Sequence, residues 1–592
     1  MTTKRPNILM LSIDALRADR TGLHGYARNT TPRLDALAAQ SLVCDEHTAT
    51  TAFTQPSLPS MLTSSYPLSH GGYDRGARGR PSTVFETLSK SGYRVKLLST
   101  FPWVNRLYGY GAGVESEQLL FAVNALVGVA SQTMASTLML HRDGEVSLDD
   151  MLETVRPLLL EMYDNLDTYC DERLARRDID RKAFAHERLV RDGYSYTKIK
   201  QIVARHRTAM SKDLRAYLDE NIKERPNERN WISLEWRFAR HPQALARHIV
   251  KRLTANIIAP LAPSHARLME YECKRYVDGH ALANNVINMV TSHDGDQPFF
   301  IWTHFFDTHV PYTPGTGPHW QRTAKDHLQA LGYPRDIDLG IGVKKRPEND
   351  AEWETWRALY DASIHYVDQE IGRILDALEQ IGRADDTLVV ITSDHGEELG
   401  EHGDVSHHFR LYEHNLRVPL MFRGPDIAPA RIGGLTSHLD LAPSIAALVN
   451  VPPDPSWAGE GITSTSVGSR NHVLAEAFHG GNCVFQHRPP YIAVRTATTK
   501  YLWKEFLDPT DKYSPATPEL YHYRDDPDEQ NNLYRPDHPE LPQLDRIIAR
   551  RLAGIEEISD SRIEKAFGRI GEKAVAEIRK PAGTAKLTDT GK

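Results

Sequence analysis

Five short apolar runs between positions 8 and 422 constrain the fold of this chain most: Ile8–Ile13, Val95–Leu98, Phe299–Trp302, Leu388–Ile391 and Pro419–Phe422. Each is too short for a helix and is apolar at largely consecutive positions. A strand covered on both faces has that pattern. Amphipathic helical stretches lie between the runs. Thr31-Pro32 opens one that carries Leu34, Leu37 and Ala38, with Thr31 as cap and proline at the first helical position. In Trp356–Leu378, residues Tyr360, Ile364, Val367, Ile371, Ile374 and Leu378 recur at spacings of three and four and form one apolar stripe. Alternating strands and helices predict an α/β fold, a doubly wound, mostly parallel sheet with helices on both faces. Ligands of such sheets bind beyond the carboxyl ends of the strands. Asp14, Thr100, His309 and Asp394 all lie at or just past such ends.

At 592 residues the chain exceeds one simple core. Residues 1–455 read as the α/β domain. Within it, about 115–285 is helix-rich, charged and without a convincing strand pattern, so it reads as a helical insertion and a candidate lid over the site. A Pro/Gly/Ser-rich stretch, Val451 to Ser469, leads into a smaller α+β domain over 456–555. Its strand candidates are Val473–Ala475, Tyr491–Arg495 and Tyr501–Lys504, and a final helix covers Leu541–Ile555. Residues 556–592 form a polar tail expected to fray.

A net charge of -7 and the lack of a basic stripe argue against nucleic acid as a partner. Cys44, Cys170, Cys273 and Cys483 show no pair spacing and read as ordinary thiols. The first residues run straight into the first strand, with no room for a signal peptide, so a cytoplasmic location is expected. Leu119 to Leu140 carries no charge and is long enough to span a bilayer. Asn124, Ser131, Gln132, Thr133, Ser136 and Thr137 dilute it, so a buried helix is favoured over peripheral membrane contact.

The residues with chemistry to offer fall in three loops. Thr54 opens Thr54-Gln55-Pro56-Ser57-Leu58-Pro59-Ser60, where Pro56 is expected to start a helix over Leu58–Ser64 and so place Thr54 at a helix N-terminus. That end of a helix favours anions. Asp394-His395-Gly396 follows the fourth run, and glycine would let the chain bend away while both ligands face one ion. With Asp14, these supply a hydroxyl, two carboxylates and an imidazole, a donor mix suited to a divalent metal that activates the hydroxyl. Plainer readings exist: Asp14 as a helix cap, His309 as a turn histidine before Pro311, and His402 as a loop anchor. Glu413 and Arg417, four apart, read as a helical ion pair.

Six segments in order resemble the sulfatase-like branch of the alkaline phosphatase superfamily. They are Pro6 to Asp14, the Thr54 block with Tyr66-Pro67, Pro298 to Tyr312 with Asp307-Thr-His309, Ser393 to Gly403, Leu411 to Leu420, and Glu519-Leu-Tyr with Asp526-Pro and Asn531. The resemblance implies that Asp14, Asp394 and His395, with Thr54, hold one divalent metal (manganese, zinc, calcium or magnesium). Asp361-x3-His365 and Asp404-x3-His408 look poorly placed for a second site. It further implies catalytic roles for Thr54, His309 and His407, and substrate contacts from Thr100, His402 and His408.

In true sulfatases the position of Thr54 is a cysteine or serine within Cys/Ser-x-Pro-x-Arg, oxidised to formylglycine. Here it is threonine, and Leu58 stands at the arginine position. A secondary alcohol oxidises to a ketone, so no aldehyde hydrate can form. The expected activity is therefore hydrolysis of a phosphodiester, a phosphonate monoester or a related sulfate ester by a threonine nucleophile. The substrate would be a small molecule or a glycan or lipid ester. The alternatives are a transferase of the phosphoethanolamine or phosphoglycerol type and, less favoured, a non-catalytic binding protein.

Overall fold

The computed structural model describes residues 5–69, 76–121, 146–175, 194–221, 277–310, 312, 347, 349–403, 405–407, 410–462, 470–478, 490–505 and 517–554, with scattered positions in 122–145 and position 246. The strands of the large domain are β1 (Asn7–Ile13), β2 (Leu42–Thr48), β3 (Arg94–Ser99), β4 (Val114–Leu119), β5 (Phe299–Phe305), β6 (Thr387–Ser393), β7 (Glu398–Leu399), β8 (Val405–Ser406), β9 (Leu420–Arg423) and β10 (Ala430–Ser437). Eight of them form one sheet in the order β10-β2-β9-β6-β1-β5-β3-β4, and β7 and β8 pair with each other. Only β9 runs antiparallel to its sheet neighbours, β2 and β6. This is the doubly wound α/β sheet expected; four of the five apolar runs lie within its strands, and the fifth enters β9 one residue late, at Leu420.

The helices are α1 (Pro32–Ala38), α2 (Thr54–Thr63), α3 (Val84–Lys90), α4 (Leu148–Ala175), α5 (Tyr196–Lys212), α6 (Leu214–Asn221), α7 (Gly279–Thr291), α8 (Asp350–Gln380), α9 (Glu413–Leu416) and α10 (Leu441–Leu448). Side chains alternate across a strand, so β1 feeds two cores. Ile8 and Met10 pack with Leu58 and Met61 of α2, Phe85 of α3 and Ile445 of α10. Leu9, Leu11 and Ile13 pack on the opposite face with Leu34 of α1, Val286 of α7 and Ile364, Val367 and Ile371 of α8. The stripe read along α8 is therefore its sheet-facing side. At α1, Thr31 makes no side-chain cap to the helix; its hydroxyl donates to Asp35 Oδ1 at 2.9 Å and accepts from the Gly22 N–H.

Strand β4 corrects the start of the insertion: residues 114–119 form a parallel edge strand against β3. The described part of the rest is helical. Met151, Val155 and Leu159 of α4 and Val203 of α5 join the core that holds Ile8 and Met10. Within 119–140, the described Phe121, Val123, Leu126, Val127 and Met134 are buried in that same core. No helix among the described residues is long and apolar enough to cross a membrane.

A second sheet of four antiparallel strands follows: β11 (Val473–Phe478), β12 (Pro490–Arg495), β13 (Lys500–Lys504) and β14 (Glu519–Tyr521), in sequential order. Helix α11 (Leu541–Ala553) packs Leu544, Ile548 and Leu552 on one face of it. The other face, with Ala475, Ala493 and Leu502, packs on Leu411, Leu416 and Val418 of the large domain. Residues 556–592 lie outside the described residues.

A buried ion cluster pins this second sheet down. Arg495 of β12 donates to Glu413 at 2.9 Å and pairs with Glu46, while Lys500 of β13 lies 3.4 Å from Glu413 and 3.1 Å from Glu529. This corrects the expected Glu413–Arg417 pair: α9 is only four residues long, and Arg417 turns instead to the Asp45 carbonyl. Burial alone would raise the Glu413 pKa, but Arg495 and Lys500 outweigh it and hold it at about 2. Its contribution to stability is then full above the unfolded carboxylate range and is lost as pH falls towards 2. Arg495→Ala leaves two buried carboxylates without their guanidinium and is expected to destabilise the fold by about 3–5 kcal/mol. Chemical denaturation checks this; a loss under about 1 kcal/mol would show that the cluster does not hold the sheets together.

Candidate active site

The site sits beyond the carboxyl ends of β6, β1 and β5, which are adjacent and parallel. Asp14 directly follows β1 and Asp394 directly follows β6, so strand register brings the two carboxylates side by side. Ala15 takes a left-handed conformation, φ 53°, unusual for a residue with a Cβ. Its N–H donates to Asp394 Oδ1 at 3.0 Å, and its carbonyl accepts from the Tyr360 hydroxyl at 2.5 Å. The His395 N–H also donates to Asp394 Oδ1, at 2.9 Å. Both hydrogen bonds use one oxygen of Asp394 and leave the other, Oδ2, facing inward.

Thr54 stands at the first position of α2, whose ten residues are all buried. The helix starts at Thr54 rather than four residues later, and the threonine takes the N-terminal place expected. Ser57 fixes the helix to the loop after β6 by donating to the Asp394 carbonyl at 2.6 Å. His438 braces the same loop from behind, with Nε2 2.9 Å from the Ser393 carbonyl and Nδ1 3.1 Å from Ser57 Oγ. Burial lowers the His438 pKa to about 4, so it stays neutral at ordinary pH.

The Thr54 hydroxyl lies 3.1 Å from Asp14 Oδ2 and 3.0 Å from His395 Nε2. His395 Nδ1 lies 2.8 Å from the Gly396 carbonyl. A carbonyl only accepts, so Nδ1 carries the proton and Nε2 turns its lone pair towards Thr54 and, at 3.4 Å, Asp394 Oδ2. Thr54, Asp14, Asp394 and His395 are thus brought together as a buried set. Gly396 serves this turn through space rather than through an unusual φ: a Cβ there would meet the His414 carbonyl oxygen at 1.9 Å.

Buried atoms at the site without a hydrogen-bond partner include Asp14 Oδ1, Asp394 Oδ2 and His304 Nε2. Unpaired buried carboxylate oxygens are costly, and a cation among them removes the cost. Carboxylate, imidazole and hydroxyl donors fit a divalent ion. Nothing local in the sequence marks His304, which lies inside β5 at the register position of Ser12. Burial alone would lower its pKa, but Asp394 and Asp14 outweigh burial and raise it to about 9, a measure of how strongly this point attracts positive charge.

His309 and His407 flank the same carboxylate. Asp14, His309 and His407 each offer a ligand atom within 4.8 Å of the others, and the His407 ring lies 4.2 Å from that of His395 and 4.9 Å from that of His309. Glu397, fully buried, stands 3.5 Å from His407 Nδ1 and is held well above the usual carboxylate range by burial and by Asp14. The Thr100 hydroxyl donates at 2.6 Å to the backbone carbonyl of His304. His402 stacks on Tyr412 with ring centroids 3.6 Å apart. His408 and Asp404 lie outside the described residues. Asp361 is committed to Arg28 and Tyr26, at 2.9 and 2.7 Å, rather than to a second metal site.

Residues 6–116 and 207–451 match the sulfatase family. Among curated proteins, the chain is 27% identical over 267 residues to an uncharacterized sulfatase, YidJ, of Escherichia coli K12, covering 43% of this chain and 50% of that one. It is 41% identical over 95 residues to the choline-sulfatase of Rhizobium meliloti, covering 16% of this chain and 18% of that one. The chain thus spans half or less of these relatives. Among solved structures, the phosphonate monoester hydrolase of Agrobacterium radiobacter superimposes with a TM-score of 0.54 at 19% identity, covering 92% of this chain and 95% of that one. That likeness is one of fold.

Proposed function

The chain belongs to the sulfatase family, and on that footing we propose that it is a metal-dependent ester hydrolase whose unmodified Thr54 attacks phosphorus. One observation carries the reading: the Thr54 hydroxyl lies within 3.1 Å of both Asp14 Oδ2 and His395 Nε2, at the N-terminal end of a buried helix. Asp14, Thr54, Asp394 and His395 would hold the ion. When bound, a divalent ion lowers the pKa of the hydroxyl and offsets charge on the phosphoryl oxygens.

The chain's own groups do the rest. Asp14 is the acceptor within reach of the Thr54 proton, while the His395 Nε2 lone pair is kept for the ion. The partial positive charge at the start of α2 favours an anionic substrate there. As the Thr54 oxygen bonds to phosphorus, the bond to the leaving oxygen breaks. His309 or His407 is placed to return a proton to that oxygen, with Glu397 orienting His407. Water then attacks phosphorus and releases Thr54. Positioned donors around the equatorial oxygens supply most of the rate in such reactions.

The substrate class follows from Thr54 and Leu58. Sulfatases expel sulfate by collapse of a hemiacetal ester, and a threonine sulfate has no such exit. A phosphoryl threonine yields directly to water. Phosphodiester or phosphonate monoester turnover is expected to exceed that of the matched sulfate ester by at least about 100-fold, roughly 2.7 kcal/mol in barrier. A panel of nitrophenyl esters tests this, and sulfate turnover equal to the phosphoester rate would overturn it. The likeness to sulfatases and to a phosphonate hydrolase does not favour the transferase. Turnover without any added glycan or lipid acceptor separates the two, and turnover of any kind sets aside a pure binding role.

A further inference from the structure

His304 closes the donor set. Its Nε2 lies 3.6 Å from Asp14 Oδ2 and 3.6 Å from Asp394 Oδ2, too far for a hydrogen bond to either. With the distances around Thr54 and His395, five donor atoms follow one another at 3.1, 3.0, 3.4, 3.6 and 3.6 Å. Ligands of one ion at about 2.1 Å stand roughly 3.0–3.5 Å apart, so successive donors are spaced nearly as ligands are, and Asp14, His304 and Asp394 each offer a ligand atom within 4.8 Å of the others.

The imidazole is also set in the orientation of a metal ligand. Ser12 Oγ donates to the Thr303 carbonyl at 3.2 Å and lies 2.8 Å from His304 Nδ1. With its proton committed to the carbonyl, Ser12 accepts from Nδ1–H, which leaves Nε2 aimed between two carboxylates, where a divalent ion would take the place of its proton. A metal-ligating histidine characteristically donates its other ring N–H in this way. Thr100 holds the backbone of the same residue through the His304 carbonyl, and the ring of Phe306 packs edge-on against it at 4.7 Å. The side chain is fully buried.

We propose that His304 Nε2 is a direct ligand of the divalent ion, giving a centre of two carboxylates, two imidazoles and the Thr54 oxygen that selects a first-row transition ion over calcium or magnesium. This rests on the metal-centre reading above. Imidazole donors favour first-row transition ions, cobalt and zinc more than manganese, while calcium and magnesium prefer all-oxygen sites. His304 is thus the residue that sets which ion the site takes.

The test uses the full chain, stripped with chelator and titrated with manganese, cobalt, zinc, calcium or magnesium. Wild type is expected to bind the three transition ions at least about 100-fold more tightly than calcium or magnesium. His304→Asn is expected to lose at least about tenfold in transition-ion affinity and to change the visible spectrum of the cobalt form. X-ray absorption of zinc-loaded wild type, which needs no variant to fold, is expected to show two imidazoles on the ion. One imidazole, or a His304→Asn protein with wild-type affinity and cobalt spectrum, would overturn the ligand assignment and leave the metal centre standing. A wild-type chain that takes up none of the five ions would overturn both.

Discussion

Thr54→Ala is expected to lower turnover by about 10⁴-fold or more while the protein melts as wild type does. Removing a nucleophile that acts as one unit with its base and metal has effects of that order. The hydroxyl is buried and meets two polar groups, Asp14 and His395, yet the rest of α2 is held by apolar contacts from Leu58, Met61 and Leu62 and by the Ser57 bond to the Asp394 carbonyl. Alanine keeps all of these and suits the start of a helix. The loss should therefore fall on turnover rather than on folding. Turnover within about tenfold of wild type, in a variant with a normal melting curve, would remove Thr54 as nucleophile.

The second large effect is expected at Asp394. Its two oxygens have separate tasks. Oδ1 accepts from the Ala15 and His395 N–H groups, and Oδ2 has no partner and faces the donor set. Asp394→Asn can keep the first task, because its carbonyl oxygen accepts the same two hydrogen bonds. It replaces the second oxygen with an amide NH₂, which cannot ligate a cation. Metal affinity should fall by more than the roughly 10–100-fold that outer-shell changes cost, and turnover with it by about 10³-fold. Elemental analysis after gel filtration, alongside kinetics, checks both. Stoichiometric metal together with near-normal turnover would place the ion elsewhere.

What could be read from the sequence, and what could not, follows burial. Runs such as Ile8–Ile13 and Leu388–Ile391 are covered on both faces, and this makes them conspicuous. Strand β2 carries Asp45, Glu46 and His47, because Glu46 reaches the second sheet and pairs with Arg495 there. β4, at the sheet edge, is only half covered and alternates with glutamates. β10 contains Gly433-Gly434 and a register shift between Ile432 and Leu435. β2 has an apolar run of only three residues, Leu42 to Cys44, and the other two have none.

The site divides in the same way. Asp14 and Asp394 stand where an apolar run stops, so their place in the chain marks them. His304 lies within a strand, hidden among Trp302, Phe305 and Phe306, and matters only because β5 pairs with β1 in a register that sets it beside Ser12. That pairing joins residues almost three hundred positions apart, which no local pattern reports. Glu413 and Arg417 failed for the opposite reason: their spacing is helical, but the helix ends before the pair can form, and the true partner of Glu413 comes from the second sheet.

An unmodified Thr54 is expected to become covalently bonded to phosphorus during turnover. Mass spectrometry of peptides from acid-quenched protein tests it most directly, comparing resting enzyme with enzyme stopped in the steady state on a phosphodiester or phosphonate monoester. Intact threonine is expected at position 54 at rest and, during turnover, a peptide carrying the substrate's phosphoryl group on Thr54. An oxidised residue at rest, or a phosphoryl label carried by another side chain while Thr54 stays bare, would contradict it.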